Sequence, residues 1–139
     1  MYFVSNTYAG DIVVTTTGGV DEIIGNAIAL TGAATGAPEA SAAANSVTNT
    51  ITTNITTITS NAWLVDVVGS SLNGSFTPNV SQTEASDQQT GTGGGRGGGT
   101  GASSTKLIAT PTVNTPMIQT HSDAGATNDL VHAIAAVAP

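Results

Sequence analysis

Runs of apolar and β-branched residues, each only a few positions long, alternate along the chain with glycine, asparagine and proline. Residues Asp11–Thr17 read DIVVTTT and stop at Gly18-Gly19; stiff β-branched side chains suit a pleated backbone, so this run predicts a strand closed by a turn. Residues Val20–Leu30, VDEIIGNAIAL, would also line up Ile23, Ala27 and Leu30 on a helix, but Gly25 and Asn26 weaken that reading and a strand is expected. Small residues with Gly32, Gly36 and Pro38 make Thr31–Ala44 a connection or a weak edge.

The next run, VTNTITTNITTIT, sets Val47, Ile51 and Ile55 on one parity and Ile58 on the other, which a bulge near Thr56-Thr57 would reconcile. Ala62–Val68, AWLVDVV, is apolar on both parities apart from Asp66, the pattern of a central strand covered on both faces. Trp63 on this strand is expected in the core. A turn at Pro78-Asn79 leads into another short strand, and further strands are predicted over Ala102–Ala109 and over Val113–Thr120, with Pro116 placing the second at an edge or bulge. Leu130–Ala138 fits either a closing strand or a helix started by Asn128 or Asp129. Between the flanking strands, residues 90–101 (TGTGGGRGGGTG) predict a flexible glycine-rich loop.

About eight short extended segments without regular helices between them predict one all-β domain over 1–139, an antiparallel β-sandwich, and the sequence shows no internal repeat. The apolar fraction of 39% is enough for a core, so disorder is not expected.

Charge narrows the function. Lys106 and Arg96 are the only strong cations beside nine carboxylates, and a net charge of −7 argues against nucleic acid or an anionic membrane as partner. The apolar runs are too short to insert across a bilayer. Nearly half of the residues are Thr, Ser, Gly or Asn, so the surface is built from hydroxyls and amides, a composition typical outside cells. There is no cysteine, hence neither a disulfide framework nor thiolate chemistry. The opening Met1–Asn6 lacks the basic residue and apolar run of a signal peptide, so a leader has been removed or the protein begins elsewhere.

Candidate chemistry is sparse. Gly93, Gly95 and Gly98 satisfy G-x-G-x-x-G without the strand and helix that a dinucleotide site needs, and Lys106 follows Thr105 rather than a glycine. His121-Ser122-Asp123 holds the residue types of a hydrolytic triad, but neighbours on an extended chain point in alternating directions. His132 is expected to pack among Leu130 and Ile134. No catalytic residue is assigned, and the chain reads as a non-enzyme. Asp66 stands out, because a buried carboxylate must find hydrogen bonds, a cation or a proton. Calcium is the one cofactor the composition leaves room for, with Asp87, Asp123 or Glu84 beside Asp66, although EF-hand spacing is absent. Asn54, Asn73 and Asn79 head N-x-[ST] sequons and are candidate glycosylation positions.

The order of motifs AGDIVVT, WLVDVVG, SFTPNVSQTE, the glycine loop with STK, and VHAIAAVAP resembles a jelly-roll, concanavalin-like or LamG-like β-sandwich module of secreted prokaryotic and viral surface and appendage proteins. Such modules carry further strands before the segment matching Tyr2–Val4. The resemblance therefore implies a sandwich short of its first strands, completed by a neighbouring subunit, with Tyr2, Phe3 and Val4 as the candidate inter-subunit strand. It implies an extracellular or cell-surface structural protein whose partners are copies of itself, in a filament, pilus-like appendage, sheath or surface layer built by strand complementation. A carbohydrate-binding or adhesion module, or a virion decoration, collar or fibre domain, is the alternative, with glycans as possible ligands.

Overall fold

The computed structural model describes residues 10–18, 23–91, 98–123 and 129–139. Eight strands form two antiparallel sheets that pack as a sandwich: β1 (Ala40–Ser46), β2 (Thr50–Ile55), β3 (Ala62–Ser70), β4 (Phe76–Pro78), β5 (Thr83–Gln89), β6 (Thr100–Ile108), β7 (Thr115–His121) and β8 (Leu130–Val137). One sheet runs β1-β8-β3-β6-β5 and the other β2-β7-β4. The all-β expectation is met, and Leu130–Val137 is a strand held between β1 and β3 rather than a helix. The pairings β1 with β8, β2 with β7 and β3 with β6 nest inside one another, while β5 joins β6 in a hairpin.

Alternation decides which side chains enter the core. On β2 the even positions face solvent while Ile51, Thr53 and Ile55 are buried. On β7, Thr115, Met117, Gln119 and His121 turn inward. No bulge follows β2: the strand stops at Ile55, and Ile58 is left exposed. The register shift lies instead on β5, between Glu84 and Ser86. Asn61 and Asn114 adopt positive φ just before β3 and β7, a conformation asparagine tolerates better than most residues.

Two expected strands are absent. Residues 11–17 form no ladder, and Ile12, Val13 and Val14 are 66%, 81% and 65% exposed. Strand propensity has no backbone partner there to act on. Of residues 20–30, those from 23 onward are extended without joining a sheet and instead lie along the outside of β6. Ile24 rests on Gly101, where a Cβ would come within 3.0 Å of it, and Asn26 donates to Ser103. Further on, Ile28 and Leu30 share a shallow pocket of about 320 Å³ with Trp63 and Thr105. Trp63 is accordingly half-buried on the outer face, not in the core. Val65 and Ala135, which point outward by alternation, are buried too, so β3 and β8 are covered on both faces at that end, while Val131 at the other end is exposed.

The rims differ in how they meet a neighbour. β4 is three residues long and ends at Pro78. Beyond it on β7, Ile118 turns its N–H to Gln82 and its carbonyl to Asn79, so by alternation the Pro116 nitrogen faces the same uncovered side and removes no bond to β2. β5 carries Glu84, Asp87 and a bulge, devices that discourage edge pairing. β1, ASAAANS, has no charge, proline or bulge, and among the described residues it pairs only with β8.

Candidate functional site

The sandwich interior is stratified. One apolar cluster holds Ile55, Leu64, Ile108, Met117, Ile134 and Ala136, the other Ile51, Val68, Phe76, Ala102 and Leu130. Between them, the intervening inward position on five strands is polar: Thr53 on β2, Asp66 on β3, Ser104 on β6, Gln119 on β7 and His132 on β8, joined by Gln82 from the β4–β5 turn. All six are buried, and Asp66 and Ser104 have no accessible surface.

Asp66 is the hub, and every partner is a donor. His132 Nε2 lies 3.0 Å from Oδ2, Gln119 Nε2 3.0 Å and Gln82 Nε2 3.3 Å from the same oxygen. Ser104 gives Oδ1 both its backbone N–H and its hydroxyl, the latter at 2.9 Å. A carboxylate accepts and does not donate, so Nε2 carries a proton, and in the neutral ring Nδ1 is then an acceptor. Thr53 Oγ1, 2.8 Å from Nδ1, therefore donates to it. Gln82 Oε1 accepts from the Ile118 N–H at 2.7 Å, so the network is tied to the backbone of the facing sheet. Gln119 Oε1 is buried with no hydrogen-bond partner. Hydroxyl, imidazole, carboxylate and amide thus form one continuous relay in a water-excluded layer.

Asp66 was legible in the sequence as a buried carboxylate needing partners; Thr53, Ser104, Gln82 and Gln119 were not. The available signal was a lone polar residue at the middle of an alternating apolar parity, as in Ile51-x-Thr53-x-Ile55 or Leu130-x-His132-x-Ile134. His132 does sit between Leu130 and Ile134 along its strand.

The other candidates fall apart from this layer. Asp87 accepts the Phe76 N–H at 3.0 Å near His121, whose ring meets Phe76 edge-on with centroids 4.9 Å apart. Burial pushes the Asp87 carboxyl up, against the opposing effects of that hydrogen bond and of His121. Asp123 donates its N–H to His121 Nδ1, and Ser122 Oγ accepts from Ser75 N, so His121-Ser122-Asp123 does not form a nucleophile–base pair. Among the described residues, no three His, Asp or Glu side chains converge as metal ligands would. Asn54 and Asn79 are exposed, whereas the Asn73 amide oxygen is buried and a Cβ on Gly98 would meet it at 2.2 Å. Tyr2, Phe3 and Val4, and Gly93, Gly95 and Arg96 of the glycine run, lie outside the described residues. That run's expected end at 101 is corrected, since β6 begins at Thr100 and Thr90 bonds Gly99 across the hairpin base.

A broad open depression of about 1240 Å³ on the outer face of the five-stranded sheet is lined by Ile24, Val67, Gly69, Gly101, Val131 and Ala133 among others. None of its lining residues is a phenylalanine, tyrosine or tryptophan or carries a carboxylate.

Glu39, just before β1, fastens the 58–59 turn: its carboxylate accepts the N–H groups of Ile58 and Thr59 and, at 2.7 Å, the Thr59 hydroxyl. Burial alone would raise its pKa, but these bonds outweigh burial and hold it below the ordinary 4.5. Because the folded value is the lower one, the stabilisation is complete above pH 4.5 and disappears as the pH falls through the folded pKa. Urea midpoints of the wild type and Glu39→Gln should therefore differ by a constant amount at neutral pH and converge below pH 4.5. A gap that persists unchanged into acid would show that the carboxylate charge plays no part.

Comparison with protein-family models, curated proteins and solved structures finds no match to this chain.

Proposed function

We propose that this chain is a structural subunit that assembles with copies of itself, an extracellular or surface β-sandwich of jelly-roll type, rather than an enzyme. The nested pairings of β1 with β8, β2 with β7 and β3 with β6 are those of a strand ribbon rolled into two layers, with β5 transferred to the larger sheet. One observation carries the assembly reading. Residues 11–17 are dense in β-branched residues yet form no ladder, and they hold Ile12, Val13 and Val14 out in solvent.

Exposed β-branched backbone gains hydrogen bonds and apolar burial by joining a sheet edge. Among the four edges, β4 and β5 carry proline, charge and a bulge, whereas β1 and β2 carry none of these, and β1 is the edge of the larger sheet. A neighbour's residues 11–17, preceded by Tyr2, Phe3 and Val4, would add as a strand beside β1. The hydroxyl-rich, weakly charged surface supports close packing of copies, because few ions must be desolvated.

Concentrated protein should sediment as oligomers and show threads or lattices by negative-stain electron microscopy. Val13→Pro, in a segment that contributes no ladder to its own fold, should leave the thermal midpoint unchanged and abolish these species. Wild-type protein that stays monomeric at millimolar concentration would overturn the reading.

A further inference from the structure

The polar layer holds every group needed for one covalent reaction, and the geometry points to a self-formed ester between Thr53 and Gln119. The proposal is independent of assembly. Thr53 Oγ1 lies 2.8 Å from His132 Nδ1, to which it donates when the ring is neutral, and His132 Nε2 is held by Asp66 at 3.0 Å. A hydroxyl on an imidazole whose far nitrogen is fixed by a carboxylate is an activated nucleophile. Water, the usual competitor, is excluded, since Thr53 is 4% and Gln119 1% exposed.

Gln119 is the electrophile within reach. Thr53 and Gln119 face inward from adjacent strands, where Thr53 pairs with Met117 and Ile51 with Gln119. Such diagonal neighbours stand roughly 7 Å apart, a span that a glutamine side chain and a threonine hydroxyl cover between them. The amide is also oriented: its nitrogen donates to both Asp66 oxygens and to Ser104 Oγ, and its carbonyl oxygen has no partner. Asp66 Oδ2 therefore touches both the base and the leaving nitrogen, each at 3.0 Å.

As Thr53 Oγ1 attacks Cδ of Gln119, its proton passes to His132 Nδ1. The imidazolium gives its Nε2 proton by way of Asp66 Oδ2 to Nε2 of Gln119. The Cδ–Nε2 bond breaks, ammonia leaves, and the imidazole remains in its other tautomer. One O–C bond replaces one C–N bond with no oxidation or reduction, and escape of ammonia draws the reaction forward. The product staples β2 to β7 through the core.

The test is the mass of the full chain produced without glycosylation. The expected result is a mass one ammonia below that of the sequence, together with a tryptic linkage. Trypsin can cut only after Arg96 and Lys106, so Thr53 and Gln119 fall in different peptides, 1–96 and 107–139. These should travel as one species in denaturant and separate after mild alkali, which opens an ester and leaves peptide bonds intact. Thr53→Val, close in shape, should give the full sequence mass and freely separating peptides. Wild-type protein with the full sequence mass overturns the proposal. So does an ammonia deficit with separate peptides, as succinimide formation at Asn73-Gly74 would produce.

Discussion

Replacing Asp66 by alanine should destabilise the fold by roughly 3–5 kcal/mol, the cost of leaving buried polar partners uncompensated. The side chain has no accessible surface and receives donors from His132, Gln82, Gln119 and Ser104. Removing it takes the acceptor from His132 Nε2 and from the Ser104 N–H, while the two glutamine nitrogens keep Ser104 Oγ, and each orphaned donor costs about 1–3 kcal/mol in its own right. The loss should appear as a lower urea midpoint with an unchanged denaturant slope.

The layer's partners make a second comparison decisive. If all six polar residues are replaced together by apolar residues of similar size, only the backbone N–H groups of positions 104 and 118 lose an acceptor, and the loss should be smaller than for Asp66→Ala alone. A mild single-site effect, below about 1 kcal/mol, would mean that solvent enters the layer and satisfies the donors. His132→Leu should fall between the two, since it removes one donor from Asp66 and one acceptor from Thr53.

The second large effect belongs to the apolar strata. Leu64 is fully buried on β3 in the cluster with Ile55, Met117 and Ile134, and Leu64→Ala should cost about 2–5 kcal/mol through lost transfer energy and an incompletely collapsed cavity. Phe76→Ala, in the other cluster, should cost about 3–5 kcal/mol. Because the polar layer separates the two clusters, the double variant's loss should equal the sum of the singles within about 0.5 kcal/mol. A coupling well above that would show that the clusters repack as one core. Chemical denaturation of the three variants reads this directly.

How far the sequence disclosed these features depended on whether the signal was local. Ala62–Val68 and Ala102–Ala109 were recognisable because apolar and β-branched residues are dense there, and the structure makes both central strands of the larger sheet. Thr31–Ala44 read only as a connection or a weak edge, and the edge strand β1 starts at Ala40 within it; alanine, serine and asparagine carry little strand propensity, and its formation rests on the register with β8. DIVVTTT misled for the opposite reason: propensity describes fit to a sheet and cannot supply the neighbouring backbone. Trp63 belonged to a run apolar on both parities, so its sequence did not tell which face the second sheet would cover. At the site, Asp66 announced itself, but its contacts span 16 to 66 positions along the chain. No spacing rule predicts a hydrogen bond from β8 to β3.

The three-residue strand ending at Pro78, with Pro116 beyond it, also bears on the shape of anything this subunit would build. A newcomer arriving on that flank finds too few free amides to zip against, and a ring where the next should be. On the proposed reading, growth is then confined to the opposite flank. On that flank lie the uncharged edges of both β1 and β2, and one arm per body, received there, passes from each copy to the next. Its natural outcome is a thread rather than a two-dimensional crystal.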